Sequence, residues 1–348
     1  MQRANITVQN RRSIVSSILG DKMKTIETKI DKELSSVDTM GKNPCFLDIE
    51  TTGLSRYKSF IYLIGILYYD NTKESWILKQ FFMDNPQEEK LLLKNVMDYI
   101  SKFDVIINYN GDSFDIPFIN YRLEIYGLDT SIPKEKSLDL YSIIRKNSYL
   151  FELPNLKLKT IENFLGINRE DIFSGRDCIN FYNQYIVNKD PILEERILRH
   201  NHDDLYYLID IIVILDMIKD KKSFNILCDK EELRFHIDDV KTIKDFLSIS
   251  GSIDGNVSNK IIYYGDNYKI LISPDRLFEL SLEIKRGLIT PEKKCLFINR
   301  KDYLIEDSMI WKSDYKTPKD IILLDVDGKY YIENIKKVIF HLLNEIII

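Results

Sequence analysis

The stretch Phe46–Leu54, FLDIETTGL, is an apolar lead-in that runs straight into two carboxylates. Asp48 and Glu50 are two residues apart, so on a strand both side chains leave the same face. A buried sheet does not hold two like charges side by side unless a cation or several donors meet them. The reason for the pair has to come from elsewhere in the chain.

Outward from this stretch, residues 45–54, 60–70 and 75–84 read as three successive strands joined by short turns. A helix is predicted over 86–103, with Pro86 near its first position and acids in its first turn. Residues 104–111 read as a fourth strand, 114–127 as a helix, 136–144 as a fifth strand and 156–167 as helical. A long helix begins at Asp190-Pro191, a cap and first-turn pair, and runs to about 218. This is an α/β pattern with a mixed sheet. Residues 1–41 read as a polar N-terminal extension with weak helical spacing at Ile14, Val15, Ile18 and Leu19. Residues 42–220 form the α/β domain, and 221–348 a smaller C-terminal α+β domain of unknown role, mixing short strands with helices.

The 348 residues carry 49 Lys and Arg against 54 Asp and Glu, a net charge of −5. A surface built throughout to grip nucleic acid is usually basic, so such a partner would be held by local patches or bound metal. The scattered cysteines, Cys45, Cys178, Cys228 and Cys295, argue against a zinc cluster or disulfide framework and suit reduced, incidental thiols of a cytoplasmic protein. No signal-peptide pattern opens the chain, and the longest apolar runs, 208–218 and 338–348, are short and broken by charge, so no membrane span is expected.

On the long helix, Leu193, Ile197, Asn201, Asp204, Leu208, Ile211 and Leu215 make one face. Asp204 sits in the middle of that stripe, with His200 one turn before it. Asp203 lies about 100° round the helix, where Arg199 offers a surface partner. A third acid, Asp115, opens the helix after Asn110-Gly111, where a helix dipole alone would also explain it.

Taken in order, FLDIETTGL, NYNGDSFDIPF and HNHDDL resemble the three motifs of the DEDD superfamily of 3′–5′ exonucleases, which has a ribonuclease H-like fold. The third motif resembles the His-Asn-x-x-Asp of a bacterial ribonuclease H-like exonuclease family, and the resemblance covers about residues 42–218. It implies a mixed sheet flanked by helices, a hydrolase acting on phosphodiester bonds of DNA or RNA, and two Mg²⁺ or Mn²⁺ ions. By that resemblance Asp48, Glu50, Asp115 and Asp204 bind the metals, with Asp48 bridging, Glu50 and Asp204 serving the ion that carries the attacking water, and Asp115 the other.

His200 is then the water-orienting group or general base, at four residues before the last acid, the spacing of the superfamily's tyrosine branch rather than its histidine branch. His202 competes for the role but points to the other side of the helix. Thr51, Gly53, Leu54, Asn110 and Phe114 are candidates for contact with a single-stranded 3′ end. For Leu54 the choice is a wedge against the terminal base or a core leucine, and for Phe114 a nucleotide contact or core packing. Asp139 reads as a supporting or capping acid, and Arg145, Lys146, Lys157 and Lys159, with Tyr149 and Phe151 interleaved, as a local basic patch. The alternative is a catalytically silent nucleic-acid-binding module on the same fold. Nothing in the chain chooses DNA or RNA or names a protein partner.

Overall fold

The computed structural model describes residues 23–32, 42–169, 173–228, 231–306 and 309–347. The helical spacing noted at Ile14–Leu19 lies outside them. Among the described residues there are two compact units, the first holding those up to Lys146 and in 153–212, the second those in 147–152 and from Val213 onward.

The first unit is built on a six-stranded sheet. Its strands are β1 (Lys24–Ile30), β2 (Pro44–Thr51), β3 (Ile61–Asp70), β4 (Ser75–Phe82), β5 (Val105–Asn108) and β6 (Ser137–Asp139), in the order β1-β4-β3-β2-β5-β6. The first four pair antiparallel, while β5 and β6 join parallel to β2. The expected mixed sheet flanked by helices is therefore present. The β3 run IYLIGIL is buried at every position, as in a strand covered on both faces.

The helices are α1 (Glu89–Ile100), α2 (Asp115–Ile125), α3 (Leu140–Lys146), α4 (Leu158–Phe164), α5 (Gly175–Asn188) and α6 (Pro191–Ile211). Asp190 caps α6 through a 2.9 Å bond from the Ile192 amide, as its Asp-Pro start predicts. The strand expected over 136–144 is only three residues long, because Asp139 ends it and caps α3: its Oδ1 accepts from the Tyr141 amide at 3.0 Å and its Oδ2 from Ser142 Oγ at 2.9 Å. Two elements were not anticipated. Strand β1 is a polar, charged edge strand with little apolar alternation to mark it. Helix α5 is announced locally only by a Ser174–Asp177 capping box.

The second unit opens with α7 (Val213–Lys221), so the long helix predicted to 218 is broken at Ile212. It holds one six-stranded and one four-stranded antiparallel sheet, and ends in α8 (Ile332–Ile347). Ile335, Val338, Ile339, Leu342 and Leu343 make the buried stripe of α8. The unit is richer in strand than the expected mixture. Among the described residues no helix is long and apolar enough to cross a membrane.

Candidate metal centre

Asp48 and Glu50 leave β2 on one face, opposite Gly65 and Leu63 of β3. A bulge follows at once between Glu50 and Thr51, where the pairing register shifts. Across this face runs α6. An ideal Cβ on Gly65 would stand 2.3 Å from Asn201 Oδ1 and 2.5 Å from Leu205 Cδ1, so only glycine lets the helix lie this close to the sheet.

That approach brings Asp204 to the β2 pair. Asp48, Glu50 and Asp204 each offer an oxygen, all within 4.8 Å of one another. Asp115, buried in the first turn of α2, joins them through the backbone: its Oδ1 accepts from the Ile49 amide, between the two β2 acids, at 3.1 Å. Burial is the main force on these groups. It drives the Asp48 pKa well above the carboxylate range, reinforced by Asp204, Glu50 and Asp115 and opposed by a bond from Asn201. Burial likewise raises Glu50 to about 8, against the pull of His200, and Asp115 to about 7, against two backbone amides.

His200 is buried, with Nε2 3.8 Å from Glu50 Oε1 and 3.7 Å from Asp204 Oδ2. The competing His202 is engaged elsewhere, its Nδ1 2.9 Å from Asp203 Oδ1 and its ring stacked on Tyr206. Asp203, expected at the surface, is buried, and Arg199 stands 3.9 Å from it.

Three further residues support the acids. Asn201 is fully buried and donates Nδ2 to Asp48 Oδ2 at 2.7 Å. Gln80, on β4, donates to Asn201 Oδ1 at 2.8 Å and to the Leu198 carbonyl at 2.9 Å, which fixes the amide so that its donor end faces Asp48. Arg169 grips Glu162, with Nε donating to Oε2 at 2.8 Å, and also pairs with Asp204 Oδ1. Asn201 stood on the predicted stripe; Gln80 and Arg169 belong to no motif.

Oxygen donors from β2 and α6 at this separation fit hard divalent cations such as Mg²⁺ or Mn²⁺. Residues 45–215 match the RNase_H superfamily model. The chain is also 25% identical over 195 residues to the uncharacterized protein YprB of Bacillus subtilis, covering 54% of this chain and 45% of that one. A DNA polymerase of Methanocaldococcus jannaschii is 41% identical over 49 residues, 14% of this chain and 3% of the polymerase. The chain thus spans less than half the length of either relative. Among solved structures, the family B DNA polymerase of Pyrobaculum calidifontis is similar with a TM-score of 0.40 and 16% identity, over 51% of this chain and 25% of that one.

Around the acids, the residues singled out for nucleic acid divide. Leu54 is 86% exposed, which removes the core reading. Thr51 is buried, its Oγ1 donating to the Gly53 carbonyl at 2.9 Å. A Cβ on Gly53 would stand 2.7 Å from Ser59 Oγ, a hydroxyl that can rotate away, so closeness alone does not demand glycine there. Asn110 takes a left-handed φ of 67°, its amide held by Asp139 Oδ1 at 2.7 Å. Phe114 is half-buried on the core, its ring 5.6 Å from Phe118, which is the packing role. Of the expected basic patch, Phe151 is buried, and Tyr149 packs on Tyr330 at 5.9 Å against the core of the second unit.

Proposed function

We propose that this chain is a metal-dependent 3′–5′ exonuclease acting on DNA or RNA. The observation that carries the reading is the meeting of carboxylates from β2 and α6 within 4.8 Å, with Asp115 of α2 tied in through the Ile49 amide. Asp48, Glu50, Asp115 and Asp204 hold two Mg²⁺ or Mn²⁺ ions. When bound, such a pair activates a water and stabilises the charge that develops on the phosphodiester. The residues do the rest. His200, facing Glu50 and Asp204, orients the water and takes its proton at Nε2. The water oxygen bonds to phosphorus as the 3′-oxygen of the preceding nucleotide leaves, releasing a nucleoside monophosphate. Leu54 presents an apolar surface to the terminal base. The short likeness to a DNA polymerase supports nucleic acid as the substrate.

One observation favours the silent binding module instead: Arg169 already occupies one oxygen of Asp204. The two readings part on one gel. Single-stranded DNA and RNA labelled at the 5′ end are incubated with Mn²⁺ or Mg²⁺, beside Asp48→Ala. A ladder shortening from the 3′ end, lost in the variant, is the expected result. Loss of the 5′ label or internal cuts would overturn the direction. Binding without cutting would leave the silent module.

A further inference from the structure

Beside the oxygen-lined centre lies a second group of different chemistry. Glu50, Cys178 and His200 are all buried, and each offers a ligand atom within 4.8 Å of the other two. We propose that these three side chains form a site for a borderline or soft divalent cation of the Zn²⁺ class, which shares Glu50 and His200 with the hard-ion centre and so shuts it when occupied.

The donor set carries this. Mg²⁺ gains nothing from a thiolate, whereas carboxylate, imidazole and thiolate together suit Zn²⁺, Co²⁺ or Cd²⁺. Zinc bonds of about 2.0–2.2 Å to nitrogen and oxygen and 2.3 Å to sulfur put tetrahedral ligands roughly 3.3–3.7 Å apart. His200 Nε2 and Glu50 Oε1 stand at 3.8 Å, too long for a hydrogen bond and near that ligand–ligand edge. The side chains are also held from behind. Tyr62 donates its hydroxyl to Glu50 Oε2 at 3.4 Å, leaving Oε1 toward His200. The Tyr62 ring stacks on Tyr182 at 4.0 Å and 7°. Tyr182 is one turn beyond Cys178 on α5, so the same stack fixes the helix that presents the thiol. Binding expels the thiol proton to solvent. With Glu50 and His200 engaged, the hard-ion centre lacks one ligand and its water-orienting group.

The site stands without the nuclease reading; its effect on cleavage rests on that reading. The test titrates the metal-free full chain with Cd²⁺ and follows the ultraviolet charge-transfer band of a Cd²⁺–thiolate bond. The band should saturate near equimolar Cd²⁺, vanish in Cys178→Ser, and need about tenfold more Cd²⁺ or greater in His200→Gln. It should persist in Cys228→Ser and in Asp115→Asn. No band in the folded wild type, or a band that survives Cys178→Ser, would overturn the site. If Cys178→Ser does not fold, by circular dichroism, the His200→Gln and Cys228→Ser arms decide: equal affinities overturn the site. In the oligonucleotide assay, Zn²⁺ should inhibit Mn²⁺-supported cleavage, with Cys178→Ser needing about tenfold more. A band with no cleavage of any strand sinks the nuclease and keeps the site; cleavage with no band does the reverse.

Discussion

Asn201 Nδ2 donates to Asp48 Oδ2 at 2.7 Å, a bond between residues 153 positions apart that ties α6 to the acidic strand. Gln80 holds the other end of the same amide. Asn201→Ala removes the donor that steadies Asp48 and leaves one Gln80 bond unmade. The expected cost is about 1–3 kcal/mol in urea unfolding, together with weaker metal-induced stabilisation. A variant with an unchanged midpoint and an unchanged response to Mn²⁺ would show that the amide positions nothing.

The acids set a pH dependence whose sign follows from their raised pKa values. Glu50 at about 8 and Asp115 at about 7 keep protons in the folded chain that the unfolded chain has released, starting from ordinary values of 4.5 and 3.8. Their contribution to stability is fully present below about pH 4 and is lost as pH rises through about 7 to 8. Without metal, Glu50→Gln should therefore raise the melting temperature at pH 8 by about 2–4 °C and change it little at pH 4. A lower melting temperature at pH 8 would remove burial as the dominant cause. Mn²⁺ should stabilise the wild type more at pH 8 than at pH 6, because the ligands must shed protons to bind.

Gly65→Ala tests the closeness of β3 and α6. Its methyl would meet Asn201 and Leu205 well inside contact distance. Overpacking of this kind costs about 1–3 kcal/mol, and it should also blunt the rise in melting temperature on adding Mn²⁺. A stable Gly65→Ala with a full metal response would mean that the helix moves away freely.

Leu54 is so exposed that the fold does not depend on it. Leu54→Ser should keep the unfolding free energy within about 0.5 kcal/mol of the wild type. Under the exonuclease reading it should raise KM for single-stranded oligonucleotides about tenfold, the worth of one buried leucine side chain. An unchanged KM would take Leu54 out of substrate contact.

Much of the first unit was open to reading from local order. The two-residue spacing of Asp48 and Glu50 puts them on one face of any strand, and the Asp190-Pro191 start of α6 needs only its neighbours. The stripe of α6 placed Asn201 and Asp204 toward the sheet by helical geometry alone. Other features rest on contacts that leave no periodic trace. Strand β1 is polar and finds its place only by pairing with β4, and Arg169 becomes a partner of Asp204 through a contact 35 residues along the chain. Gln80 faces Asn201 across 121 residues. Cys178, an unremarkable thiol in sequence, meets Glu50 and His200 only because α5 packs beside β2 and α6. Spacing along the chain thus determined which acids share a face. Which amide, guanidinium and thiol surround them was decided by the packing of distant elements, where a side chain's partner depends on three-dimensional proximity and not on its place in a repeat.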